Sequence, residues 1–151
     1  MKTASTTKSR IARLLLVNDN QDGLLARKWL LQEQGYAITT ATNGEEALEA
    51  VSKGTFDLMV TDFRMPKMNG IELIGRVRAL QPQLSVILLS GLAAPLDLDE
   101  TSTGADAVIA KGAHEIAYLQ RSVARLLSRK VVRKPPASQK SSAPKTKAQS
   151  V

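Results

Sequence analysis

Phe56-Asp57-Leu58-Met59-Val60-Thr61-Asp62-Phe63-Arg64-Met65-Pro66-Lys67-Met68-Asn69-Gly70 decides how this chain folds. A run of strand length, mostly apolar, ends in an aspartate, and a loop containing proline and Asn-Gly follows at once. A carboxylate held at the end of a buried strand can act as a nucleophile. Met65 and Met68 are expected to pack the loop, because thioethers suit soft metals and no cysteine is present to complete a soft ligand set.

Working outward, three other apolar runs end in polar residues of related chemistry. Leu14 to Val17 leads into Asn18-Asp19, Val86 to Leu89 into Ser90, and Ala107 to Ala110 into Lys111. With Tyr36 to Thr40 as a further strand, these runs alternate with amphipathic stretches, the pattern of βα units around a parallel sheet buried on both faces. Asp22 to Gln34 places Leu24, Leu25, Trp29 and Leu31 near helical spacing and stops at Gly35. Asn43 reads as the N-cap of a helix over Glu45 to Lys53, and a helix after Asn69-Gly70 ends before Pro82. Gly91 to Gly104 lacks a sustained apolar stripe and reads as a short fourth helix, whereas His114 to Arg129 carries a clear one, with His114 at its exposed start. Five strands and five helices in this order match an α/β, flavodoxin-like, doubly wound (βα)5 fold with a five-stranded parallel sheet ordered 2-1-3-4-5, which places functional groups outside the carboxyl ends of the strands.

Composition sets the frame around that domain. The 151 residues suffice for one domain with a real core, and the low aromatic content of 3% requires a core of Leu, Ile, Val, Ala and Met. Without cysteine, disulfides and thiolate chemistry are excluded. The net charge of +7 resides in the ends: every acidic residue falls between Asp19 and Glu115, whereas the charged residues of Met1 to Arg13 and Arg129 to Val151 are all basic. The expected division is a disordered basic tail over 1–12, one domain over 13–129 and a disordered basic tail over 130–151. Contact with nucleic acid is expected only through those tails, which carry no aromatic residue to stack on bases. A polar N-terminus and the absence of any apolar run near the roughly 18 residues of a membrane span give a cytoplasmic protein with no membrane insertion as the expectation.

The ordered set Asn18-Asp19, Asp62 with Met65-Pro66-x-Met68-Asn69-Gly70, Ser90 and Lys111 resembles the receiver domain of two-component response regulators, over the span Arg13 to Ser128. That resemblance implies a phosphoryl group accepted on Asp62, with Lys111 pairing its oxygens and Ser90 donating a hydroxyl to them. It implies Mg2+ held by Asp19, Asp62 and the backbone carbonyl of Arg64, with Asn18 acting through metal-bound water, a donor set suited to a hard cation. The donor would be a phosphohistidine on a sensor histidine kinase or a histidine phosphotransfer protein, and the output a conformational change read by a downstream effector protein. The expectation is a single-domain signalling protein similar to stand-alone chemotaxis receivers, with no output domain and no enzymatic activity beyond its own phosphotransfer and slow autodephosphorylation.

Three positions depart from the family pattern. Asn18 stands where the first of two adjacent acids is usual, which removes one negative charge and predicts weaker magnesium binding. Val108 stands where receivers place an aromatic three residues before the lysine, and Gly112 replaces the proline that usually follows it. The alternative reading is therefore a phosphorylation-independent pseudo-receiver, an interaction module with nucleic-acid contact through its tails.

Overall fold

Each apolar run becomes a strand, and each amphipathic stretch packs as a helix across the sheet. The computed structural model describes residues 10–91 and 98–133, with side chains described through residue 129. The elements run β1 (Arg13–Val17), α1 (Gln21–Glu33), β2 (Ala37–Ala41), α2 (Gly44–Lys53), β3 (Leu58–Asp62), α3 (Gly70–Leu80), β4 (Ser85–Ser90), α4 (Glu100–Thr103), β5 (Ala107–Ala110) and α5 (Glu115–Arg133). All strand pairs are parallel and the sheet order is β2-β1-β3-β4-β5, the expected doubly wound topology.

Alternation along the strands sorts the core into two layers. Leu15, Val17, Met59, Val86 and Leu88 point to the face covered by α2 and α3 through Ala47, Val51, Leu73, Ile74 and Val77. Leu14, Leu16, Leu58, Val60, Ile87 and Leu89 point to the face covered by α1 and α5 through Leu24, Leu31, Leu119, Val123 and Leu126. Burying one such leucine fully contributes about 2 kcal/mol from transfer alone.

One device starts the first three helices. The side chains of Asn20, Asn43 and Asn69 accept the backbone N–H of Gly23, Glu46 and Glu72 at 3.0, 2.8 and 2.9 Å, each cap contributing about 1 kcal/mol. Asp99 caps the four-residue α4 in a reciprocal capping box, and Gly104 ends it in the left-handed conformation.

Several expectations need correction. Strand β2 is an edge strand and is not buried on both faces: Ala37, Thr39 and Thr40 are exposed, because only β1 flanks it. Leu25 and Trp29 do not complete the apolar stripe of α1; they are 53% and 65% exposed, and the buried face consists of Leu24, Arg27 and Leu31. The predicted N-terminal tail is anchored at its end, since Arg10 pairs with Asp57 at 2.9 Å, and Ala12 accepts a hydrogen bond from Ala37. Helix α5 continues to Arg133, past the expected end at Arg129. The rest of both predicted tails and residues 92–97 lie outside the described residues.

Candidate functional site

The site is assembled at the carboxyl ends of β1, β3, β4 and β5. Strand β3 ends in Asp62, which is 3% exposed, and the chain must then turn back into α3 within a short loop. Gly70 makes that turn feasible: its N–H donates to the Phe63 carbonyl at 2.8 Å. A Cβ at this position would fall 2.4 Å from the Asp62 carbonyl oxygen and 2.7 Å from a Leu88 methyl, so no larger residue fits without moving the end of β3. Met65 and Met68 are buried in the core, as loop packing requires, and Met68 lies directly over Gly44 at the start of α2.

Strand β5 delivers Lys111 across this edge, where its ammonium donates to Asp62 Oδ2 at 2.6 Å. Between them, β4 ends in Ser90, which is buried and accepts a hydrogen bond from the Lys111 N–H through its backbone carbonyl at 3.1 Å. Ser90 and Lys111, with Phe63, Arg64, Leu89 and Gly91, line a cavity of about 280 Å3. Asp19 is exposed, and together with Arg64, Met65 and Pro66 it lines a second cavity of about 290 Å3. The carboxyl edge thus gathers Asp62, Lys111 and Ser90 closely, with Asp19 and Arg64 at an adjoining opening. A larger cavity of about 420 Å3 between the starts of α2 and α3 shares Pro66 with that opening but is lined by none of Asp19, Asp62, Arg64, Ser90 and Lys111.

Sequence reasoning missed Arg27. Its side chain, 11% exposed, donates from Nε to Glu115 Oε2 at 2.8 Å, Nη2 forms an ion pair with the same oxygen at 2.8 Å, and Nη1 lies 3.9 Å from Asp62 Oδ1. The available signal was its helical register: positions 24, 27 and 31 share a face, so a cation at the middle position must be buried and must find an anion. Burial pushes the Asp62 carboxyl above its ordinary range; the Lys111 ammonium and then the Arg27 guanidinium oppose this, and the Glu115 carboxylate adds to it.

Asp62 Oδ1 is buried and makes no hydrogen bond among the described residues, which leaves lone pairs directed into a polar edge. By donor chemistry, that oxygen with the Asp19 carboxylate, the Arg64 carbonyl and the Asn18 amide would suit a hard cation of the magnesium class. Asn18 is buried and its Oδ1 accepts the Asn20 N–H at 3.1 Å. No group of three or more acidic, histidine or cysteine ligands forms among the described residues, so the fit rests on mixed oxygen donors. Val108 is half-buried and packs against the core layer of α2 and α3. Gly112 adopts φ 153°, a conformation side chains disfavour, and no peptide bond is cis among the described residues. His114 is exposed just before α5, its ring edge-on to Tyr118. Among the described residues no helix is long and apolar enough to cross a membrane.

A family model described as the response regulator receiver domain matches residues 14–122. Over 117 residues the chain is 35% identical to the gliding motility regulatory protein of Myxococcus xanthus, covering 76% of this chain but only 15% of that protein. It is 38% identical over 85 residues to the response regulator receiver protein CpdR of Brucella abortus (strain 2308), covering 54% of this chain and 68% of that one. Among solved structures it resembles the response regulator TrrA of Thermotoga maritima in complex with Mg(2+)-BeF, with 34% identity, a TM-score of 0.70, and coverage of 77% of this chain and 99% of that one. The chemotaxis response regulator CheY4 of Vibrio cholerae gives 29% identity, a TM-score of 0.69, and coverage of 78% and 99%. The chain spans less than a fifth of several relatives it matches, so the shared unit is the domain and not their whole activity. Topology, the residues at the carboxyl edge and the family match converge: this chain belongs to the response regulator receiver domains of two-component signalling.

Proposed function

We propose that Asp62 accepts a phosphoryl group from a phosphohistidine on a sensor histidine kinase or histidine phosphotransfer protein. The observation that carries this reading is the pairing of Lys111 Nζ with Asp62 Oδ2 at 2.6 Å on an acid whose other oxygen is buried without a hydrogen bond. An Asp62 oxygen attacks phosphorus, the phosphorus–nitrogen bond of the donor breaks, and the imidazole leaves with the electron pair. Lys111, already beside the carboxylate, follows the charge onto the phosphoryl oxygens, and the Ser90 hydroxyl donates to one of them. Slow hydrolysis of the acyl phosphate returns the carboxylate.

Asp19, Asp62 and the Arg64 carbonyl would hold magnesium, with Asn18 acting through a bound water. Its contribution is positive charge against the equatorial oxygens of the transferred group. Support comes from the donor chemistry of these residues and from the Mg(2+)-BeF complex of the T. maritima relative. New contacts to the phosphoryl group pull the Ser90 loop inward and present an altered surface to a downstream effector protein.

Intact mass after incubation with acetyl phosphate and magnesium tests the reading. One added phosphoryl group is expected, and it is expected to vanish in Asp62→Ala and when magnesium is withheld. Unchanged uptake in Asp62→Ala, or none in the parent chain, overturns the assignment.

A further inference from the structure

The acceptor carboxylate lies between two cations, one at each oxygen. Lys111 holds Oδ2, and Arg27 Nη1 lies 3.9 Å from Oδ1, close enough for an ion pair and too far for a hydrogen bond. The rest of the guanidinium is committed elsewhere, because Nε and Nη2 both meet Glu115 Oε2 at 2.8 Å. The Arg27–Glu115 pair ties α1 to the first residue of α5, with side chains only 11% and 12% exposed. Gly23 shapes the space around it: a Cβ there would lie 3.3 Å from Arg27 Nη1 and 3.1 Å from Asn18 Nδ2, tighter than ordinary packing. Asn18 brings no charge of its own to this side of the site. Arg27 is therefore a buried positive group beside the one acceptor oxygen that makes no hydrogen bond among the described residues.

We propose that Arg27 is an internal competitor for the divalent cation at Asp62 Oδ1, and that Glu115 sets the strength of this competition by drawing the guanidinium away from the acceptor. This rests on the magnesium reading above and adds its regulation. Two positive groups at one oxygen repel, so cation binding requires Arg27 to lean fully onto Glu115. Occupancy of the site is thereby coupled to the junction between the first and last helices. Arg27 acts here as a positioning residue, with no bond made or broken at its own atoms.

Calorimetric titration of Mg2+ into the full chain tests this, using the parent, Arg27→Gln, Glu115→Gln and the double variant, each first shown to be folded by circular dichroism. Arg27→Gln is expected to bind Mg2+ about tenfold more tightly than the parent, and Glu115→Gln more weakly. The double variant changes no net charge yet removes the cation from Oδ1, so it too is expected to bind more tightly, and it decides the matter if Arg27→Gln fails to fold. Binding by Arg27→Gln where the parent shows none also supports the proposal. Equal or weaker binding by both variants lacking Arg27, with a parent that binds Mg2+ and takes up one phosphoryl group, overturns the competition and leaves the receiver chemistry intact. No Mg2+ binding by any of the four overturns it as well, and if phosphoryl uptake from acetyl phosphate is then also absent, the receiver chemistry falls with it.

Discussion

Helices α3 and α1 bury corresponding stripes against opposite faces of one sheet, but with different chemistry. On α3 the buried residues are Gly70, Leu73, Ile74 and Val77, and polar links lie at the rim, where Gln81 donates to the Val51 and Gly54 carbonyls and Arg78 pairs with Asp106 at 2.8 Å. On α1 the stripe is Leu24, Arg27 and Leu31, and its middle member reaches Glu115 and Asp62. The α3 face holds the acceptor loop in place by volume, whereas the α1 face meets the acceptor by charge. Changes of volume on the first should therefore act on stability, and changes of charge on the second should act on the site.

The largest effect expected from breaking that contrast is on the apolar face. Leu73 is fully buried, so Leu73→Ala should cost about 3 kcal/mol, from lost transfer energy plus the cavity left behind. Urea unfolding measures the loss. Phosphoryl uptake per folded molecule is expected to stay near that of the parent, and a proportionate fall in uptake would show that the α3 face does more than support the loop.

On the charged face the corresponding quantity is a coupling and not a volume. Removing one member of the Arg27–Glu115 pair leaves the other charge buried, which costs about 3 kcal/mol, while removing both costs less than the sum of the two single losses. The double-mutant cycle on unfolding free energy should give a coupling of about 2 kcal/mol between Arg27 and Glu115. Strict additivity would mean that the two act separately, and that the helix junction carries no electrostatic link.

This asymmetry also marks what the sequence could disclose. The apolar runs, the Asn43 cap and the strand-end positions of Asp62, Ser90 and Lys111 follow from local period and turn chemistry, and the topology follows from their order. Arg27 escaped because its partner Glu115 is 88 residues away, and local periodicity favoured Leu25 and Trp29, which solvent accepts singly at little cost. The anchoring of Arg10 on Asp57 was hidden for the same reason, since it bridges 47 residues. Charge pairing across the fold, unlike apolar patterning, leaves little local trace.

A smaller effect sharpens the comparison at the acceptor itself. Burial raises the Asp62 carboxyl above its ordinary value, so the folded state binds that proton more strongly than the unfolded chain. Its contribution to stability therefore falls as pH rises from the ordinary carboxylate value through the raised one. Asp62→Asn should be about 1 kcal/mol more stable than the parent at neutral pH, a gain in melting temperature of roughly 4 °C, because it relieves a site held at some cost for function. The gain should shrink in acid, where both states of the parent carry the proton; a variant less stable at neutral pH would show instead that the Lys111 pairing outweighs burial.

The smallest effect has the opposite sign and belongs to the start of α2. Glu46 receives the Thr42 backbone N–H at 2.8 Å and the Thr42 hydroxyl at 2.9 Å, and these bonds, the backbone one first, hold its carboxyl below the usual value. The folded state here binds the proton less strongly than the unfolded chain, so the contribution is fully present above the ordinary carboxylate value and is lost as pH falls through the depressed one. Glu46→Gln should melt slightly below the parent at neutral pH, and the two curves should converge in acid, the reverse of the trend for Asp62→Asn. Melting temperatures of the three proteins followed from neutral to acidic pH separate the contributions, because Glu46 is exposed to solvent beside a cap while Asp62 is buried among charges. If the Glu46→Gln curve instead stays parallel to the parent throughout, the capping contact is geometric and contributes nothing to the pH dependence of this fold.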